Sequence, residues 1–87
     1  MTVRRGHGRL SEFRYLLNCW DQGDDRFVEI VDCGLDIWPD GRQELAGEFQ
    51  VADSTVDRWA RGSARPHRRL KFLIVGYLRQ KLLDSSG

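Results

Sequence analysis

Apolar residues recur along this chain at three- and four-residue steps, a spacing that predicts helices. Leu10, Phe13, Leu16, Leu17 and Trp20 form a first stripe, with Ser11 near its start as a candidate cap. Gln22-Gly23-Asp24 breaks that helix. Asp24 or Asp25 can cap the second, where Phe27, Ile30, Val31, Leu35 and Trp38 lie on or near one stripe. Gly34 inside it either weakens the helix or lets a neighbour approach closely. Pro39-Asp40-Gly41 stops it, and Asp40 then stands three residues before Gln43, the spacing of a capping box. Two short helices follow between Gln43 and Arg61. After the loop Gly62-Ser63-Ala64-Arg65-Pro66, a last helix opens at Pro66, whose missing N–H costs little there. Leu70, Leu73, Ile74, Tyr77, Leu78 and Leu82 are its expected buried stripe. No segment alternates with period two, so no sheet is expected. The expectation is an all-α, compact bundle of about five helices in one domain over residues 10–83. A flexible basic arm (1–9) precedes it and a disordered tail (84–87) follows.

The segment Gln43 to Arg61 is the most informative. Leu45, Ala46 and Phe49 share one helical face, Val56 and Trp59 share another, and Gln50-Val51-Ala52 between them is long enough only for a tight turn. Ala46 is small where two helices would cross, and Val51 can fill the gap between them. Two short helices with a small residue at the crossing and a plugged turn describe a helix-turn-helix, whose second helix enters a DNA major groove. That second helix is polar outward, with Asp53, Ser54, Thr55, Asp57, Arg58 and Arg61. The run Gln43-x-Leu45-Ala46-x-x-Phe49-x-Val51-x-x-Ser54-Thr55-Val56-x-Arg58-Trp59-x-x-Gly62, followed by Pro66, resembles the Cro/C1 repressor family, also called the xenobiotic-response-element family. The resemblance covers about half the chain, from Asp40 to roughly Leu82. It implies a lambda-repressor-like fold and sequence-specific binding of double-stranded DNA by a bacterial or phage regulator. Such a protein would be a repressor, an antitoxin-type autoregulator or a recombination accessory factor, cytoplasmic and nucleoid-associated. Two positions depart from the pattern. Gln50 stands where the family turns with Gly, so it must either take φ > 0 or use another turn geometry. Ala52 stands where a Ser caps the second helix, and the cap can shift to Asp53 or Ser54.

The resemblance puts Ser54, Thr55 and Arg58 on the groove-facing side. Arg58 can reach a guanine edge or a phosphate, and Ser54 and Thr55 either one. Gln43 either contacts a phosphate, as the resemblance implies, or forms half of the capping box. Asp57 can accept from a cytosine amine or pair with Arg61 one turn later. The pair is favoured, because an acid near phosphates is costly unless neutralised. Asp53 reads as a cap for the same reason, and Trp59 as core.

Charge bears on the same region. The net charge of +1 hides a segregation: residues 1–9 carry Arg4, Arg5 and Arg9 without an acid, residues 10–57 carry three bases against twelve acids, and residues 58–87 carry eight bases against Asp84 alone. The last block suits phosphates, with Arg61, Ser63 and Arg65 as a clamp around the loop and Arg68, Arg69 and Lys71 as further candidates. Arg4, Arg5 and Arg9 can enter a minor groove or stay disordered. The acidic half cannot lie on DNA. It can orient the protein, or form a homodimer or bind a protein partner, with Trp20, Phe27 and Trp38 either in an apolar patch or in the core. A helical protein-interaction module using that acidic face is the alternative function.

Composition narrows the rest. Eighty-seven residues make one domain with a small core. The longest apolar run, Phe72 to Leu78, is far too short to span a bilayer. The N-terminus lacks the apolar segment of a secretory signal. Cys19 and Cys33 lack ligand spacing to His7 and His67, so they read as buried free thiols and no metal is expected. With no nucleophile–base pair and no Gly-rich phosphate loop, neither catalysis nor a cofactor is expected.

Overall fold

A computed structural model describes residues 7–86. Five helices follow one another: α1 (His7–Cys19), α2 (Asp24–Ile37), α3 (Gly41–Phe49), α4 (Asp53–Arg61) and α5 (Arg68–Ser86). There is no strand among the described residues. The expected all-α bundle of five helices is therefore present, with several boundaries moved. The α1 helix begins three residues before the expected Leu10, which puts Ser11 inside it and removes it as a cap. Residues 7–9 are thus helical and not part of an arm; residues 1–6, with Arg4 and Arg5, lie outside the described residues. At the other end α5 runs on through Ser86, so Asp84 to Ser86 are helical and not a loose tail.

The α2 helix is the centre of the bundle and touches each of the other four. Phe27, Ile30, Val31 and Cys33 are buried along it. Gly34 permits close packing: a Cβ there would lie 3.4 Å from Leu78 Cδ2 of α5 and 3.7 Å from Phe13 Cε1 of α1. Around α2 the core collects Phe13, Leu16 and Leu17 from α1, Leu45 and Ala46 from α3, Val56 and Trp59 from α4, and Ile74, Val75, Leu78 and Leu82 from α5. Two helices precede the α3–α4 pair and one follows it. The α1 helix packs on α2, a helix removed from α4.

The caps differ from the sequence expectation. Gly23 is the N-cap of α2, and Asp24 and Asp25 fall in its first turn, where carboxylates suit the positive end of the helix dipole. Asp40 precedes α3 without a side-chain cap bond, so the Asp40–Gln43 capping box does not form. Pro66 lies two residues before α5. His67 stands between them, and its Nδ1 accepts the Arg69 N–H at 3.2 Å.

The α5 helix is rotated from the expected stripe. Val75 is buried at 1% exposure, whereas Leu73, expected inside, is 56% exposed. Leu70 and Tyr77 are only partly buried. Lys71 sits on the buried side, its ammonium 2.5 Å from Asp24 Oδ1 and 3.3 Å from the Gln22 carbonyl. The Asp24 carboxyl is held below its usual range, chiefly by that hydrogen bond.

The cysteines divide. Cys33 is buried and its thiol donates to the Arg9 carbonyl at 3.3 Å; burial pushes its pKa up to about 11. Cys19 is exposed, against the expectation of two buried thiols. Phe27 is core, while Trp20 and Trp38 are half-buried. Trp20 lies edge-on to Phe72, and Trp38 lies edge-on to Phe13 with the Lys81 ammonium over its ring. None of the three makes an exposed patch on the acidic half.

Candidate nucleic-acid interface

The site is built on the α3–α4 pair. Leu45 and Ala46 are buried, and Phe49 packs edge-on to Trp59 of α4 and Tyr77 of α5, with centroids 6.5 and 6.0 Å apart. This aromatic chain fixes α3 and α4 to the last helix. The turn takes the strained option: Gln50 is left-handed at φ 55°, ψ 48°. The Val51 N–H returns to the Ala46 carbonyl at 2.9 Å, and the half-buried Val51 side chain packs against the core. Ala52 remains the N-cap of α4, without any side-chain cap, so the cap does not shift to Asp53 or Ser54. Gly62 closes the helix at φ 78°, its N–H on the Trp59 carbonyl and the Ser63 N–H on the Arg58 carbonyl at 3.0 Å. That is the paired-bond helix ending which favours glycine. A Cβ at Gly62 would also lie 3.3 Å from Val28, so this ending docks on α2.

With Val56 and Trp59 inward, the outer stripe of α4 is Ser54, Arg58 and Arg61, at steps of four and three. All three are exposed, and Thr55 and Asp57 flank the stripe half-buried. The expected Asp57–Arg61 pair does not form. Asp57 instead receives Arg42 Nη1 from α3, at 3.1 Å to Oδ2 and 3.3 Å to Oδ1. An ion pair between α3 and α4 thus stands in place of one along α4.

Beyond α4 the expected clamp divides. Ser63, Arg65 and Arg69 are exposed. Arg68 Nη2 donates to Gln22 Oε1 at 3.3 Å. Lys71 is spent on Asp24 and is not available to a phosphate. Gln43 is exposed on the first turn of α3, and its side chain makes no hydrogen bond among the described residues. Arg9 is not an arm residue: it pairs with Asp36 at 2.6 Å, Asp32 at 3.2 Å and Glu12 at 3.2 Å, which holds it on α2.

Two residues were missed by sequence reasoning. Arg42 carried no signal, since its partner lies fifteen residues away. Arg26 lines a shallow surface depression with Arg65, Asp21, Asp24 and Asp25, and so adds a second guanidinium beside the loop. Only the fold brings Arg26 and Arg65 together, among three carboxylates.

Among the described residues no group of three His, Cys, Asp or Glu side chains is placed to hold a metal ion. No helix there is long and apolar enough to cross a membrane. No protein-family model matches the chain, and no curated protein or solved structure matches it significantly.

Proposed function

We propose that the chain binds double-stranded DNA sequence-specifically, as a small helix-turn-helix regulator of transcription. The observation that carries this reading is which bases the fold leaves free. Arg9, Arg42, Lys71 and Lys81 are tied to carboxylates, and Arg68 and Arg79 to neutral oxygens. Arg58, Arg61, Arg65 and Arg69 are exposed and have no side-chain hydrogen bond or ion pair among the described residues. They follow one another from the outer face of α4, through the loop, into the first turn of α5. Unpaired guanidiniums beside a polar helix suit backbone phosphates, which position a protein on the duplex. Arg58, with Ser54 one turn before it, is the base-reading candidate, since a guanidinium matches the guanine edge with two hydrogen bonds. Gln43 and Ser63 add phosphate contacts at either end. The Arg42–Asp57 pair neutralises one of the two acids of α4, the other being Asp53 in its first turn. A repressor, an antitoxin-type autoregulator or a recombination accessory factor would use the same surface.

The test is a titration with duplexes selected from a random pool, repeated at several salt concentrations. Arg58, Arg61 and Arg69, with Arg65 whose charge also acts on Asp24, predict a log–log salt slope of about −3 to −4, at roughly −0.9 per phosphate neutralised. Arg61→Glu combined with Arg65→Glu should abolish binding and keep the helical circular-dichroism spectrum, with a lower melt because a Glu at 65 stands among Asp21, Asp24 and Asp25. Salt-independent binding, or retention of binding by that double variant, refutes the reading. If binding is instead lost on reversing Asp25 and Glu29 to Lys, the acidic-face interaction module becomes the better account.

A further inference from the structure

A hollow of about 350 Å³ lies between α1 and α5, lined by Arg14, Leu17 and Asn18 of the first helix and by Arg79, Leu82 and Leu83 of the last. Small-molecule sites begin at roughly 300 Å³. The hollow follows from where these residues fall on two helices that both pack on α2. Leu17 and Leu82 belong to the core, at 3% and 8% exposure, and form the floor. Arg14 and Asn18, one turn apart, are an exposed flank of α1, and Arg79 and Leu83, one turn apart, are an exposed flank of α5. Each flank carries a guanidinium, so neither offers the other an apolar surface to close on. No carboxylate of the described residues lines the hollow. Arg79 is already held on its wall, since Nη2 donates to the Leu17 carbonyl at 2.8 Å. That bond uses one of the five N–H donors of a guanidinium.

The geometry points to a binding site for a small amphiphilic anion, a single carboxylate on an apolar body about the size of octanoate. Charge selects the head. A guanidinium meets a carboxylate through parallel, charge-assisted hydrogen bonds, and the hollow presents two guanidiniums with the Asn18 amide beside them. Arg79 needs little further ordering, because its bond to the Leu17 carbonyl already fixes it, and that lowers the cost of binding. The leucines select the body. Leu83 is 61% exposed, and a hydrocarbon chain laid over it and over the leucine floor removes apolar surface from water. An inorganic anion would leave the leucines wet, and a cationic amphiphile would face two like charges. Volume sets the size: at ~30 Å³ for each liquid water, the hollow has room for about a dozen non-hydrogen atoms, which octanoate nearly fills. No residue of the hollow belongs to α3 or α4, so the site stands apart from the DNA reading.

The test is a titration of the full chain, without DNA, with sodium octanoate at neutral pH, followed through backbone amide NMR shifts. The shifts should saturate with a midpoint at or below about 1 mM and be largest at Leu17, Asn18, Arg79 and Leu83. Acetate has the head without the body, and octylammonium the body with the opposite charge; each should bind about tenfold more weakly or worse. Leu83→Glu sets a carboxylate on an exposed rim position, where substitution costs the fold little, and should weaken octanoate by about tenfold or more. Arg14→Glu should weaken octanoate likewise and strengthen octylammonium. The same spectra show that each variant is folded. Shifts that rise without saturation to ~10 mM, or that saturate at other residues, overturn the proposal. Octylammonium binding as tightly as octanoate overturns it too, by reducing the site to apolar contact. So does a Leu83→Glu variant that binds as well as the wild type. Binding to anionic vesicles without binding of monomeric octanoate would assign the surface to a membrane and sink the small-ligand site.

Discussion

Replacing Gln50 by Gly isolates the backbone of the turn that joins α3 to α4. Gln50 is left-handed at φ 55°, and only one other described non-glycine residue, Gln22, has positive φ. For an L-residue this conformation costs roughly 1–2 kcal/mol, because Cβ crowds the following carbonyl. Glycine escapes that cost but loses roughly 0.5–1 kcal/mol through the extra freedom of its unfolded chain. The side chain contributes nothing to set against this, since Gln50 is exposed and makes no side-chain hydrogen bond among the described residues. The net expectation is a gain of about 0.5–1 kcal/mol. In a domain of this size that raises the melting temperature by about 2–8 °C. Gln50→Ala is the control: it keeps Cβ and so keeps the strain, and should melt within about 0.5 kcal/mol of wild type. Both variants need only thermal melts followed by helix ellipticity. If Gly melts no higher than Ala, the turn is not left-handed at residue 50, and the α3–α4 geometry on which the candidate interface rests is wrong.

Four further outcomes are expected. Trp59→Ala should cost roughly 3–5 kcal/mol, enough to unfold so small a domain, because the indole is 3% exposed between Phe49 and the core; a near-wild-type melt would mean that Trp59 is not core. The Asp24 carboxyl is depressed in the folded state, so its pairing with Lys71 stabilises the fold above the ordinary Asp pKa of about 3.9 and the effect is lost as pH falls through the folded value. Asp24→Asn should therefore lower the urea midpoint at neutral pH and flatten its fall in acid; an unchanged acid limb would contradict the pair. The Cys33 thiol is raised from 9.0 to about 11, so its contribution is full below about 9 and is lost as pH rises through 11, and in the native protein a thiol reagent should modify Cys19 promptly and Cys33 only on unfolding. Arg58→Ala should weaken binding to a selected duplex by roughly 1–3 kcal/mol and relax the preference at one base position; equal losses on all sequences would reduce Arg58 to a phosphate contact.

The α3–α4 pair and its turn were legible because their determinants are local. Leu45, Ala46, Phe49 and Val51, then Val56 and Trp59, lie within fifteen residues, and Gly62 marks the end by a conformation few other residues take. The rotation of α5 was not legible. Seven consecutive apolar residues from Phe72 to Leu78 offer no unique stripe, so periodicity alone cannot choose between Leu73 and Val75. Asp24 draws Lys71 to the buried side, and Val75, one helical turn after Lys71, goes in with it. The long-range partners of Arg9, Arg42 and Lys71 (Asp36, Asp57 and Asp24) were illegible for one common reason: each lies fifteen or more residues away on another helix. The start of α1 was misplaced, since Ser11 lies inside the helix, whereas Asp40 does stand at the N-cap of α3 but makes no side-chain cap bond.

The division of charge along the sequence has a structural part that the sequence conceals. A basic C-terminal block following an acidic middle suggests that eight bases face a polyanion. The fold takes several of them for itself. Lys71 reaches back to Asp24, Lys81 to Glu44, and Arg9 forward to Asp32 and Asp36, so both basic ends are clamped onto the acidic middle. Arg79 donates to the Leu17 carbonyl at 2.8 Å, near the C-terminal end of α1 where carbonyls lack intrahelical partners. These contacts join α1 to α2, α5 to the start of α2, and α5 to α3 and α1. Much of the segregation therefore follows from the helices that must be held together. What remains after those pairings is smaller and better placed than the sequence count implies: four exposed arginines in succession, at Arg58, Arg61, Arg65 and Arg69, with Arg26 beside Arg65. That residual grouping, more than the count of bases, is the electrostatic argument for a phosphate-facing surface, and it makes Arg61 and Arg65, not Lys71 or Lys81, the positions where charge reversal should abolish binding.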